Sequence, residues 1–424
     1  LDEVKNIYRK LSGRSLYSYD MEDTEQHSFN LNLNPFDNLY VDYLFSRVET
    51  GFVKRYESSS KTPVFYDQDQ DKHFTDIRYE KGPLKLKAFY SFDVLTKLQT
   101  SPAKPEEKRR TYNYGISGDY QFDALGFEQN AGIDLVRRVS DYDYSYGRHY
   151  RDDSALFWQL KRKLTDDVEL TVGAREQLID GKDGAKNYSR FLPSAALSYN
   201  LTNDFKLFAN AGKAFRAPSF NDLYYDSATR VGNPDLNPEE GWTYELGAKF
   251  DNDMMRLRLA MFLMEYKEKI ISYERDDEIN SYYNAGDYEN SGVEWDLSLT
   301  PFISVDSLLE NVVLSVRGYW SDPLADDENG VEVQIGPQLQ MAFGVGYLTD
   351  AFTFNADLIN QKQREDNLDD LLTVNLFSKV KLLKGYVTFA VDNLFDEETI
   401  TGGSSSSEYY GLGRMAKVGY QVKF

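Results

Sequence analysis

The sequence predicts an all-β protein, a transmembrane antiparallel β-barrel of about 20 strands. Three observations predict it. Apolar and polar residues alternate with period two along most of the chain. The connections between alternating segments are by turns short and long. Aromatics make up 15% of the 424 residues, with 32 Tyr, and tyrosine suits half-wet, half-apolar surfaces such as membrane interfaces.

The alternation assigns faces. In "LKLKAFY" Lys85 and Lys87 share one side. "VELTVGAR" sets Val168, Leu170, Val172 and Ala174 against Glu169, Thr171, Gly173 and Arg175. "MRLRLAMFL" sets Leu257, Leu259, Met261 and Leu263 against Arg256 and Arg258. "GVEWDLSL" opposes Val293, Trp295, Leu297 and Leu299 to Glu294, Asp296 and Ser298. "PQLQMAFGVGYL" opposes Leu339, Met341, Phe343, Val345 and Tyr347 to Gln338, Gln340, Ala342, Gly344 and Gly346. Such segments read as strands with one apolar face. A lipid-facing Lys or Arg at mid-depth costs about 2–4 kcal/mol, which explains the confinement of charge to one side.

Tight connections fall at 34–38, 81–83, 123–126, 165–167, 202–204, 251–253, 348–350 and 384–385, with a longer one near 301–311. Long polar connections lie between them, at 57–71, 98–110, 140–153, 177–187, 213–241, 265–290, 320–336, 360–370 and 395–413. Short turns on one rim and long loops on the other are the plan of an outer-membrane barrel, with turns periplasmic and loops outside. A soluble sandwich does not require that rhythm, and no blade-length repeat marks a propeller.

The composition excludes other classes. Lys plus Arg number 48 against 69 Asp plus Glu, a formal charge of -21, which opposes nucleic-acid binding. There are no cysteines and only three histidines, His27, His73 and His149, so thiolate chemistry is out and a His-rich metal site is not expected. Mean hydropathy is -0.58, and the longest near-apolar run, "LRLAMFLM" at 257–264, is too short for a membrane helix. The first residues, "LDEVKNIYRK", lack a secretory leader pattern, so the expectation is a cytosolic chain or one whose leader has been removed. No nucleophile–base constellation stands out, and the chain is not expected to be an enzyme.

Residues 188–250 carry a further pattern: Phe191–Ser194, Phe215-Arg216-Ala217-Pro218 with Leu223-Tyr224, Gly232-Asn233-Pro234 with Leu236, Pro238 and Glu239, and Glu245-Leu246-Gly247. Asn284–Gly286 and Gly292–Glu294 follow, then "VDNLFDEE" at 391–398, Tyr409-Tyr410 and Gly413-Arg414. In order and spacing this resembles the TonB-dependent outer-membrane receptors over roughly 188–424. The resemblance implies a barrel of about 20–22 strands over 1–424, an energised importer of a scarce nutrient, and placement in the bacterial outer membrane. It also implies an N-terminal plug and a TonB box. Neither pattern is seen in residues 1–35, so the plug is expected to be a missing or separate piece, and coupling to TonB-ExbB-ExbD to run through it.

The cargo expected from the resemblance is a ferric siderophore, with cobalamin or haem as alternatives and a passive porin-like channel as the competing class. The absence of His from 219–232 lowers the haem reading. An anionic, aromatic chelate suits arginine and tyrosine at the mouth, which makes Tyr144, Tyr146, Arg148, Tyr150, Arg216, Tyr224, Tyr225, Arg230, Tyr283, Tyr409 and Tyr410 the candidate ligand residues. The same boxes have a blander role, in which prolines stiffen the loop and Glu239 or Glu245 pairs with Arg216 or Arg230. Asp67, Asp69 and Asp71 of "DQDQDK" form a candidate Ca²⁺ site in an external loop; no other cofactor is expected. The closing "RMAKVGYQVKF" alternates to Tyr420 and Phe424, resembling the strand that the barrel assembly machinery reads. That strand is expected to pair with the first, since closure removes both sheet edges.

Overall fold

The computed structural model describes residues 4–8, 17–56, 63–275, 279–284, 286–305, 307–326, 330–364, 368–404, 407–411 and 413–422, the backbone alone at 4–8, 17–23, 55–56, 274, 401–404 and 407–410. Its main sheet has 21 strands. One of them, Glu332–Gln334, only prolongs the tip of Val312–Asp326. The other 20 run antiparallel in chain order, from Val4–Tyr8 and Tyr17–Phe36 to Gly385–Asp392 and Met415–Val422.

The ladders reproduce the parity read from the sequence. Ala195 opposes Val172 and Ala211, and Leu197 opposes Leu170 and Ala209. Tyr244, Leu246 and Ala248 continue that row outward to Leu263, Met261 and Leu259. The alternate positions form the inner row: Thr171, Ala196, Asn210, Glu245, then Phe262 beside Gly292. Leu246, Met261, Leu156 and Trp158 are all more than half exposed. Their exposure marks the outer face as a lipid surface, because nothing among the described residues covers these side chains.

The periplasmic turns follow from local chemistry. In "TDD", "TND" and "LTD" the Thr hydroxyl accepts backbone N–H groups two or three residues on: Thr165 from Val168 N at 3.0 Å, Thr202 from Phe205 N at 3.1 Å and Thr349 from Phe352 N at 2.9 Å. Asn252 does the same to Met255 N at 2.8 Å. These side chains mimic a backbone turn and stop the strand. Leu125 and Gly126 both have positive φ, 57° and 76°, the twist-matched two-residue hairpin. The longer turn near 301–311 holds a 3₁₀ segment, Leu308–Asn311, capped by Ser307.

The first four external connections are shorter than the sequence predicted. Strands run to Tyr56, Ser101, Tyr142 and Gly181 and resume at Val64, Glu107, Gly147 and Tyr188. Polar residues there lie in strand extensions that stand clear of the lipid. Polarity marks solvent on both faces, which a sequence reading takes for loop. Asp67, Asp69 and Asp71 are the clearest correction: they belong to strand Val64–Lys81, not to a loop. A strand projects alternate side chains in parallel and does not converge them on an ion. Arg47 lies 3.8 Å from both Asp69 and Asp71, and no group of three His, Asp or Glu among the described residues is placed to hold a metal.

The first strand, Val4–Tyr8, pairs with Tyr17–Met21. Met415–Val422 pairs with Gly385–Asp392 on one side. Among the described residues no ladder joins it to Val4–Tyr8, so the expected seam is not one of the observed pairings. Tyr420 faces outward and donates to the Leu382 carbonyl at 3.3 Å; Phe424 lies outside the described residues.

Candidate ligand-binding mouth

A long external loop, 217–238, joins strands Phe205–Arg216 and Glu239–Asp251. It is built like a small core. Pro218 opens it and Pro238 closes it, both fully buried with Leu236, which is 1% exposed. Proline cannot donate to a ladder, so the strands must stop there. Ser219 caps the short helix Phe220–Tyr224 and Asp222 completes a capping box. Leu223 points into the loop core. At Gly232 a Cβ would come within 2.6 Å of the Leu223 and Tyr224 backbone, so only glycine lets the two segments approach.

The boxes singled out in the sequence meet each other. Asn284 accepts from Asn237 N at 2.6 Å and donates to the Asn237 and Glu268 carbonyls at 2.9 and 2.8 Å. Asn233 donates to the Tyr282 carbonyl at 2.9 Å. Tyr188 donates to the Leu236 carbonyl at 2.8 Å. Arg216 grips Glu239 with two prongs, Nε donating to Oε2 at 2.6 Å, and Ile270 N donates to the same carboxylate at 2.9 Å. Glu245 pairs instead with the inner-wall Arg258, which also donates to Glu294 at 2.5 Å.

Burial pushes the Glu239 carboxyl up, but the hydrogen bonds from Arg216 and Ile270 and the charges of Arg216 and Lys269 outweigh it and hold Glu239 below the ordinary value of 4.5. A carboxylate depressed in the folded state stabilises above its unfolded value and loses that contribution as pH falls through its folded one. The wild-type melting midpoint should therefore drop below about pH 4.3. Glu239→Gln should flatten that acid limb; parallel pH–melting profiles for the two proteins would refute the assignment.

On the neighbouring wall, the turn 143–146 carries Tyr144, which is exposed, and Tyr146, whose hydroxyl meets Ser140 Oγ at 2.8 Å and donates to Asn221 Oδ1 at 3.1 Å. His149 stacks on Tyr224, centroids 3.8 Å apart and rings 6° from parallel, and contacts Asp183 at 3.0 Å. Tyr224 donates to the Lys182 carbonyl, and burial first, then Asp183, pushes its hydroxyl up to about 12. Arg151 donates to the Pro218 carbonyl at 2.8 Å, lies 5.7 Å from the centre of the Phe220 ring and sits 3.1 Å from Asp153. Burial pulls this guanidinium down, with Asp153 opposing.

The candidate ligand residues thus divide. Arg216, Tyr146 and Tyr224 have their polar atoms bound within and between loops. Tyr225 lies 6.3 Å from the Tyr142 ring, Arg230 5.8 Å from Tyr282, and Tyr283 meets Tyr273 edge-on at 4.8 Å. Arg148 and Tyr150 are corrections: their ladder positions, opposite Asp141 and Val139, share the outer face with Leu135 and Ile133, away from the mouth. Tyr409 and Tyr410 lie in strand Ser407–Tyr410, paired with Ile400–Ser404, and only their backbone is described. Arg151, Asn221 and Asn284 are structural anchors that were not among the candidate ligand residues. Parity is the available signal for Arg151: it falls with Asp153 on the inner face while Tyr150 falls outside.

An antiparallel wall with a lipid face, a charged inner face and a braced external loop defines a barrel-type membrane receptor or channel. The chain belongs to the TonB dependent receptor-like, beta-barrel family, whose model matches residues 4–394. That family consists of transporters and receptors, not enzymes. A vitamin B12 transporter, BtuB of Photobacterium profundum, is 24% identical over 333 residues, covering 73% of this chain and 51% of that protein. A probable TonB-dependent siderophore receptor, PirA of Acinetobacter baumannii, is 29% identical over 126 residues, 26% of this chain and 16% of the relative. The chain therefore spans about half the length of the first of these relatives. In fold it resembles the solved siderophore receptor PirA, with a TM-score of 0.69 at 16% identity over 96% of this chain and 70% of that one. It also resembles the FrpB iron transporter of Neisseria meningitidis, with a TM-score of 0.71 at 13% identity over 100% and 76%.

Proposed function

We propose that this chain is the outer-membrane barrel of an energised importer of a metal chelate, a ferric siderophore in the first reading. The observation that carries the proposal is the braced loop 217–238, cross-linked to strand-borne residues by Arg151, Tyr188, Asn284 and the Arg216–Glu239 pair. A passive pore gains nothing from a rigid external clamp. A receptor does, because preorganised loops lower the entropic cost of binding. Coupling would pass through a plug and TonB-ExbB-ExbD, insertion through the barrel assembly machinery.

A corrinoid is the second cargo. The relative with 73% coverage of this chain is named a vitamin B12 transporter. The external segment 320–336 carries Asp322, Asp326, Asp327, Glu328 and Glu332 and no Lys or Arg, a field that opposes anionic chelates. Of the mouth arginines that would favour such a chelate, Arg216 is spent on Glu239, Arg148 is turned outward and Arg230 lies 5.8 Å from the Tyr282 ring. Deleting the gene and measuring iron-limited growth with labelled siderophore uptake, beside cobalamin-dependent growth, tests both. Loss of siderophore uptake supports the first reading. Loss of cobalamin-dependent growth alone moves the cargo to corrinoids. No change in either overturns energised chelate import.

A further inference from the structure

The outer wall over strands Glu107–Ala124, Phe127–Tyr142 and Gly147–Lys163 changes character with height. Ile116 and Leu135 pair across the lipid face, both well exposed. The next outward-facing row is Tyr114, Arg137 and Asp152, and above it come Tyr112, Val139 and Tyr150. The third row is Arg110, Asp141 and Arg148. An apolar band thus gives way to tyrosines with the paired Arg137 and Asp152 among them, and then to a row of two arginines and one aspartate, which is where a bilayer gives way to its headgroups.

At that height lies a cavity of about 420 Å³ lined by Tyr114, Arg137, Val139, Arg148, Tyr150 and Asp183. A second, of about 430 Å³, shares Tyr114 and Arg137 and reaches down to Ile116 and Leu135. Arg137 is fixed by a bidentate pair with Asp152, at 2.6 and 2.7 Å, and stacks 5.0 Å from the Tyr150 ring centre. The Asp183 carboxylate is engaged by His149. Arg148 is different. Its ladder neighbour Asp141 turns to Arg110 at 3.7 Å, and Arg148 has neither ion pair nor hydrogen-bond partner among the described residues.

We propose that this cleft binds the phosphate-bearing headgroup of an outer-leaflet lipid, with Arg148 on the phosphate, Tyr150 and Tyr114 flanking it and an acyl chain along Ile116 and Leu135. Guanidinium is the side chain best matched to a phosphate, by charge and by its donor fork. One guanidinium without a partner among the described residues, set above an apolar strip, fits an amphiphile and wastes half the surface on a soluble anion; the acids beside it are already engaged, Asp152 by Arg137 and Asp183 by His149. The site stands on the outer-membrane reading above, yet it lies on the outside of the wall, apart from any transport path.

The test is native mass spectrometry of the full chain in maltoside micelles with lipid A, or with lipid A stripped of its phosphates. Wild type should retain the phosphorylated lipid. Arg148→Ala should retain it about tenfold less, Tyr150→Ala should weaken it, and Lys384→Ala, at a periplasmic turn, should not change it. Arg148→Ala breaks no ion pair or side-chain hydrogen bond among the described residues, so unchanged heat-modifiable gel mobility will confirm its fold. Equal retention by Arg148→Ala, equal retention of the dephosphorylated lipid, or full competition by inorganic phosphate each overturns the proposal. Binding of a ferric siderophore and of cobalamin, measured on the same samples, reports the transport reading separately.

Discussion

Ala195→Arg will destabilise the barrel by about 2–4 kcal/mol, whereas Ala196→Arg, one residue on, will be close to neutral. Both lie near mid-depth of strand Tyr188–Asn200. Ala195 faces lipid between Val172 and Ala211, where a guanidinium has neither water nor partner. Ala196 faces the lumen between Thr171 and Asn210 and lines a polar cavity that holds Glu169 and Glu245 together with Lys206, Lys249 and Arg258, so a guanidinium there stays in water among mixed charges. The same residue type, moved about 3.3 Å along the chain, changes solvent. Urea unfolding of both variants in lipid vesicles, scored by heat-modifiable mobility, decides it. Similar losses for the two would show that this face does not meet lipid.

Arg151→Ala should have the largest effect on the mouth. The Arg151 side chain is 18% exposed and Asp153 9%. Its removal leaves a buried carboxylate with Arg138 alone, 2.6 Å away, frees the Pro218 carbonyl and strips the face of Phe220. Breaking one side of a buried pair costs about 3–5 kcal/mol, and the remaining Arg138 contact places this case at the low end. The cost is local, because loop 217–238 is anchored to a wall whose own ladders are intact. Amide hydrogen exchange should quicken across 217–224 with little change in strands Val168–Gly181 or Met255–Lys267. Arg151→Lys keeps the stem over Phe220 and loses the fork, so it should fall between the two. Unchanged exchange at 217–224 in Arg151→Ala would show that the loop is held elsewhere.

Much of the wall was legible in the residues. The alternation at 168–175, 257–263 and 339–347 assigned faces that the ladders reproduce, because side-chain direction in a strand has period two and needs no tertiary knowledge. The positions of the short turns were legible for the same reason: the Thr and Asn hydrogen bonds that make them close within three residues. The strand extensions above the lipid were misread as loops. Asp67–Asp71 and residues 140–153 are polar on both faces, and a strand in water on both sides loses the contrast that reveals it.

The mouth was less legible. Whether a tyrosine there is free to meet a ligand depends on partners far along the chain: Asn221 for Tyr146, 75 residues away, and Pro218 for Arg151, 67 residues away. The sequence by itself determined the barrel class, the lipid face of the strands whose alternation it showed, and the family. Only the tertiary structure decided that Tyr146, Tyr224 and Arg216 brace the external loops, that Arg148 and Tyr150 look outward, and that the acidic run is a strand face. Faces and turns are set by interactions spanning a few residues. The occupancy of a loop side chain is set by which distant loop folds against it, and composition carries no record of that.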